Sequence, residues 1–105
     1  MWIKPLQGGA GRELAQADAP EILTLQDWMP DGKGVLFTRW NPQAEPMMVS
    51  LYRASIEGGE PESLGLSREA LRDVSVHPDG SRITFTAGNP RAEIWALEHL
   101  LPPRR

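Results

Sequence analysis

The sequence predicts an all-β protein of short antiparallel strands, on three observations. Glycine and proline are dense, 10 of each in 105 residues, which puts a turn signal every few residues and leaves little room for long helices. Short runs of alternating apolar residues lie between those signals, the pattern of strands. The pattern also repeats. Residues 28–39 read Trp-Met-Pro-Asp-Gly-Lys-Gly-Val-Leu-Phe-Thr-Arg, and 48 positions later residues 76–87 read Val-His-Pro-Asp-Gly-Ser-Arg-Ile-Thr-Phe-Thr-Ala. A second element recurs with it: Met1-Trp2 followed by Gly8-Gly9 returns 50 positions later as Leu51-Tyr52 followed by Gly58-Gly59, and Ile94-Trp95 carries the aliphatic–aromatic pair again. Repeats of this period mark solenoids and propellers.

The elements follow in order. Residues 1–20 hold the outer strands of a first sheet, turning at Gly8-Gly9. Residues 23–28 and 34–39 form a hairpin across Pro30, Asp31 and Gly32. Proline fixes φ in that turn, the Asp side chain accepts backbone N–H groups, and glycine accepts a positive φ. In the second strand of the hairpin Val35 and Phe37 share one face, while Leu36 and Thr38 suit burial on the other, as in a strand between stacked sheets. A third strand is expected at 48–56, a turn at Gly58-Gly59, and a short polar edge strand at 61–64, where proline and charge are tolerated. The copy places strands at 73–76 and 82–86 around Pro78, Asp79 and Gly80, a third strand at 93–97, and a helical turn at 98–101. Four strands per period predict consecutive four-stranded antiparallel propeller blades: a remnant at 1–20, a complete blade at 21–66, and a last blade with its tail at 67–105. The alternative is a two-sheet β-sandwich.

Trp28-Met29-Pro30-Asp31-Gly32-Lys33 and Val76-His77-Pro78-Asp79-Gly80-Ser81 resemble the Pro-Asp-Gly repeat of TolB-type, WD40-like β-propellers. The aliphatic–aromatic pair followed by Gly-Gly belongs to the same pattern, and the likeness spans Trp2 to Leu97. Met29 and His77 stand where that family usually has serine, a departure expected to weaken hydrogen bonding in the turns. The resemblance implies a fold, not an activity. It also implies little more than two blades, whereas propellers close with about four to eight. Two explanations stay open: the C-terminal part of a longer protein, or a complete small protein whose open faces pair with a copy of itself or another protein. In both, Leu23, Leu25, Val35 and Phe37 are expected to expose apolar surface on the side that lacks a neighbour. The expected partners are therefore further blades of a parent propeller, another protein, or a second copy.

Composition narrows the function. With 14 acidic against 11 basic residues and a formal charge of −3, the chain lacks the basic balance of a nucleic-acid binder. No apolar run reaches the length of a membrane-spanning helix, and the N-terminal Met-Trp-Ile-Lys-Pro-Leu-Gln-Gly-Gly is no signal peptide; periplasmic and cytoplasmic locations both stay open. The absence of cysteine excludes a disulfide scaffold and a Cys-ligated zinc site. His77 and His99 have no metal-ligand spacing and are expected to be solvated. No Gly-x-Ser-x-Gly nucleophile motif occurs. Asp31 and Asp79 are explained by their turns. Glu57, Glu60 and Glu62 read as a charged turn rather than a calcium loop, and Gly8-Gly9-Ala10-Gly11 lacks the Lys-Ser/Thr of a phosphate loop. No cofactor, metal or catalytic residue is expected.

Trp28, Tyr52 and Trp95 sit at repeat positions and are expected to pack. Trp40-Asn41-Pro42 lies in a loop that is longer in one repeat than in the other, and such insertions often carry binding surfaces. Arg39, Trp40 and Met47 are therefore the candidate contact patch, with Arg72, Arg91 and Arg104-Arg105 expected at the solvated surface. The functional expectation is a non-catalytic scaffold for protein interaction or ligand sensing. The alternative, implied by the resemblance, is the propeller portion of a larger enzyme or regulator (a prolyl-oligopeptidase-like peptidase, a membrane-anchored kinase or a winged-helix regulator) whose activity lies outside this chain.

Overall fold

The computed structural model describes residues 1–4, 6, 8–88 and 93–98. Among them are nine strands and no helix: β1 (Trp2–Ile3), β2 (Arg12–Glu13), β3 (Ile22–Trp28), β4 (Gly34–Trp40), β5 (Met48–Ser55), β6 (Glu62–Glu69), β7 (Arg72–Val76), β8 (Arg82–Ala87) and β9 (Glu93–Glu98). They form three antiparallel sheets in chain order, β1-β2, β3-β4-β5-β6 and β7-β8-β9. Each strand pairs with its sequence neighbour, as short turns require. Residue 92 and residues 99–105, which include His99 and most of the expected helical turn, lie outside the described residues, as does Arg91.

The repeat is visible bond by bond. In the first hairpin the Met29 N–H donates to the Gly34 carbonyl at 2.8 Å and the Gly32 N–H to the Met29 carbonyl at 2.9 Å. In the second, the His77 N–H donates to the Arg82 carbonyl at 3.0 Å and the Gly80 N–H to the His77 carbonyl at 2.8 Å. Asp31 Oδ1 accepts the Lys33 N–H and Asp79 Oδ1 the Ser81 N–H, both at 2.9 Å. Gly32 and Gly80 take φ of 73° and 75°, a region that a Cβ disfavours. The backbone bonds of both turns form with Met29 and His77 in place, and in the second turn the His77 Nδ1 also accepts the Asp79 N–H at 3.1 Å, a bond that a serine side chain can make at such a position. The Gly-Gly pairs match as well, at 99° and 105° for Gly8 and Gly9 and 104° and 94° for Gly58 and Gly59.

Two cores separate the sheets. Leu36, Val49, Leu51 and Leu66 from the four-stranded sheet meet Val74, Ile83, Phe85 and Ala87 from the last. On the opposite face, Val35, Phe37 and Ala54 pack beneath Leu14 and Ala15, with Met1 and Ile3 beside them. From Gly34 to Thr38, β4 is buried on both faces. A Cβ on Gly34 would lie 2.9 Å from the Ala54 carbonyl oxygen, so the close approach of β4 and β5 excludes a larger residue there.

Two expectations need correction. Val35 and Phe37 are not exposed; each is 2% accessible, because the β1-β2 hairpin and the residues after it lie over them. Leu25 is exposed as expected (53%), and so is Trp28 (46%), both on β3 at the edge of the four-stranded sheet; Trp28 lines a depression with Ile3, Lys4 and Arg12 of the first hairpin. The fourth strand is also longer than expected, running to Glu69 rather than ending at 64. Leu64 and Leu66 alternate toward the inter-sheet core, and that burial extends the strand through Ser63, Gly65 and Ser67, which by composition read as a turn.

Candidate functional site

The contact patch expected at Arg39, Trp40 and Met47 begins at the end of β4. Neighbours in a strand point to opposite faces, and Arg39 and Trp40 do so. Arg39 lies with Leu23, Phe37 and Tyr52 along a depression of about 370 Å3. Its Nε and Nη2 donate to Glu21 Oε1 at 3.0 and 2.6 Å. That hydrogen-bonded pairing lowers the Glu21 carboxyl below its ordinary value and raises the Arg39 guanidinium. Trp40 lies on the other face, its indole Nε1 donating to Thr24 Oγ1 at 3.0 Å. There it joins Met47 against the core between the second and third sheets. The structure thus brings Trp40 and Met47 together and sets Arg39 apart from them. Trp40 also belongs to the strand rather than to the loop.

Trp40 and Met47 wall a second, smaller notch of about 230 Å3, closed on its far side by Leu71 and Arg72. The residues from the β6–β7 turn were not anticipated here. Arg72, expected at the solvated surface, is only partly accessible. Its Nη1 donates to the Ala70 carbonyl at 2.6 Å and to the Gly88 carbonyl at 3.4 Å. Ala70 takes a φ of 54°, a left-handed conformation that costs a residue with a Cβ about 1 kcal/mol or more. It is held by its N–H, which donates to the Met47 carbonyl at 3.0 Å.

The repeat turns make no reactive constellation. Pro30, Asp31, Gly32 and their copies Pro78, Asp79 and Gly80 serve the hairpins described above. The His77 Nδ1 accepts the Asp79 N–H at 3.1 Å. Glu62 of the acidic turn pairs with Arg53. Among the described residues no cluster of His, Asp or Glu suits a metal ion, and no helix is long and apolar enough to cross a membrane. No protein-family model matches the chain, and no curated protein matches it.

Two side chains that sequence reasoning missed join the sheets. Gln26 Oε1 accepts the Val74 N–H at 3.0 Å, and Asp27 Oδ2 accepts the Val76 N–H at 2.9 Å. The signal was present as a break in the repeat, since Gln26 and Asp27 stand where the copy has Val74 and Ser75. At the outer strands Arg68 lies over the Trp95 ring, 4.6 Å from its centroid, a cation–π contact.

The Asp79 carboxyl is held well below its ordinary value, first by the Ser81 backbone N–H and then by the Ser81 hydroxyl and the Arg82 guanidinium. A carboxyl with a lower pKa folded than unfolded stabilises the fold fully above the unfolded value and loses that contribution as pH falls through the folded one. In a carboxyl-detected NMR titration Asp79 is expected to stay ionised through the range near pH 4 where free aspartate titrates. Titration of Asp79 at the ordinary value would contradict this turn geometry.

Proposed function

We propose that this chain is a non-catalytic β-propeller segment that acts as a scaffold for protein interaction or ligand sensing. The observation that carries the reading is the partly exposed edge strand β3 of the middle sheet. Leu25 and Trp28 are exposed on the face of β3 that looks toward the β1-β2 side. At the repeat position of Trp28 stands Val76, which packs into the core against the middle sheet. The same position is packed into the core where a full neighbouring sheet exists and half-exposed where only a two-stranded one does. Sheets stacked in this way bury apolar faces only against neighbours, so the exposed part of this face, at Leu25 and Trp28, is a docking surface for another sheet of the same kind.

The test is sedimentation velocity over a range of protein concentrations. The chain is expected to associate as concentration rises, and Leu25→Lys with Trp28→Lys is expected to return it to monomer. A monodisperse, cooperatively unfolding monomer at every concentration would overturn the docking reading and favour a closed β-sandwich. A second reading uses the same partly exposed face: the covering sheet belongs to a larger enzyme or regulator whose peptidase, kinase or winged-helix domain carries the activity. An open reading frame continuing upstream of Met1 through further repeats supports that version, and a stop codon with a ribosome-binding site immediately before Met1 removes it.

A further inference from the structure

Departures from the repeat meet in one depression beside Trp28. In the middle sheet Arg53 stands opposite Glu62 and pairs with it. The same cross-strand position in the first hairpin, 50 positions earlier, holds Ile3 opposite Arg12. A cation stands where the copy has an anion, and an aliphatic side chain stands where the copy has its counter-ion. Trp28 in turn stands where the copy has Val76. Ile3, Arg12 and Trp28 line a depression of about 580 Å3, together with Lys4 and the small residues Ala10 and Gly11.

Strand register turns these side chains toward one another. Directly opposite residues of an antiparallel pair share a face. Ile3 packs against the core beneath the hairpin, so Arg12 stands on the face turned toward the middle sheet. Trp28 lies opposite Val35, a member of that same core, so it stands on the face turned toward the hairpin. Trp28 is half-exposed, and Arg12 and Lys4 are exposed. Among the described residues Arg12 and Lys4 enter none of the ion pairs, and no carboxylate lines the depression. In a chain with more acidic than basic residues, two cations thus share one hollow without an anion. A guanidinium takes a phosphate through two parallel bonds, and an ammonium adds a point charge. A phosphate monoester carries about −1.5 to −2 at pH 7, the charge that these two residues offset. An accessible indole is a stacking partner for a planar ring.

We propose that this depression binds an aromatic phosphate monoester, the phosphate on Arg12 and Lys4 and the ring against Trp28 and Ile3. Two sources share that chemistry, a free mononucleotide and the phosphotyrosine side chain of a peptide. The assignment rests on the ligand-sensing side of the function proposed above and names its ligand class. Its failure is distinct from that of sheet docking, because sedimentation is measured without ligand and binding is measured on the dilute chain.

The test titrates the purified chain, at the lowest concentration of the sedimentation series, with phenyl phosphate, adenosine monophosphate and N-acetyl-phosphotyrosine amide, followed by 1H–15N correlation spectra. Inorganic phosphate lacks the ring, and adenosine and N-acetyl-tyrosine amide lack the phosphate. The Trp28 indole and Arg12 Nε–H signals are expected to move with the monoesters, and the three counterparts to bind about tenfold more weakly. Tighter binding of adenosine monophosphate assigns a mononucleotide, and tighter binding of the phosphotyrosine amide a modified peptide. Equal binding of monoesters and counterparts, or no shift with any monoester at about 10 mM, overturns the assignment. Arg12→Glu installs the residue that the repeat carries at an exposed position. It is expected to weaken monoester binding about tenfold or more while the signals of the middle-sheet core stay in place. Unaltered binding by that variant overturns the assignment as well. Trp28→Val installs the residue of the copy and is expected to abolish the preference for phenyl phosphate over inorganic phosphate.

Discussion

Phe85→Ala is expected to cost about 3–5 kcal/mol of folding stability, and Thr84→Ala, one residue away in the same strand, less than about 0.5 kcal/mol. Phe85 is 1% accessible and lies in the core that joins the last two sheets. Thr84 points to the other face of β8 and is exposed. A loss of the Phe85 size is a large share of the roughly 5–15 kcal/mol that holds a domain folded. Urea unfolding followed by circular dichroism is therefore expected to show the Phe85→Ala midpoint displaced far toward zero denaturant or no folded baseline at all. Similar losses at the two positions would mean that β8 presents the opposite face to the middle sheet. Leu36→Thr extends the argument. It gives β4 the residue that β8 carries at the same repeat position, and it removes a side chain that is 0% accessible. A loss of about 2–4 kcal/mol is expected there, although threonine is accepted at the copy, because among the described residues only the middle sheet is covered on both faces.

That difference between two equivalent positions shows what the sequence could and could not disclose. The hairpins were legible because their chemistry is local. Pro30-Asp31-Gly32 and Pro78-Asp79-Gly80 close their turns with bonds that span only a few residues, and the Val35/Phe37 and Ile83/Phe85 alternation states which residues share a face. The separation of Arg39 from Trp40 was legible by the same period of two, once both are placed inside β4 rather than in the loop after it. The cover over Phe37 was not. It depends on how far Met1, Ile3, Leu14 and Ala15 reach across the middle sheet, a distance that strand periodicity does not carry. The length of β6 was hidden for a related reason. Ser63, Gly65 and Ser67 are turn-like by composition, and only the burial of Leu66 against another sheet makes the segment extended. The notch at Trp40 needed both kinds of information. The loop insertion pointed to Trp40 and Met47, but Leu71 and Arg72 arrive from a different sheet, and their departure from the repeat was the available sign.

Removing the Asp27 carboxylate is the second large effect expected, and it tests how the sheets are held edge to edge. Asp27 accepts two backbone donors, the Trp28 N–H at 2.8 Å through Oδ1 and the Val76 N–H at 2.9 Å through Oδ2. The Val76 N–H belongs to β7, whose other edge is taken by β8, so the carboxylate of the preceding sheet serves as its acceptor. Burying a donor without a partner costs about 1–3 kcal/mol, and the bond lost is charge-assisted. Asp27→Ala is accordingly expected to cost about 2 kcal/mol. Gln26→Ala, which takes the acceptor from the Val74 N–H, is expected to cost about 1 kcal/mol. The double variant is expected to depart from the sum of the two, because adjacent residues holding one strand are coupled. Amide exchange separates this from a general loss of stability. Exchange at Val74 and Val76 is expected to rise about tenfold or more beyond what the global change accounts for, while amides in the β4–β5 ladder follow global stability alone. Asp27→Asn keeps an oxygen acceptor without the charge and is expected to fall between the two. If Val74 and Val76 exchange no faster than the β4–β5 ladder in Asp27→Ala, the sheets are held by their apolar core alone and the two side chains are passengers on its surface.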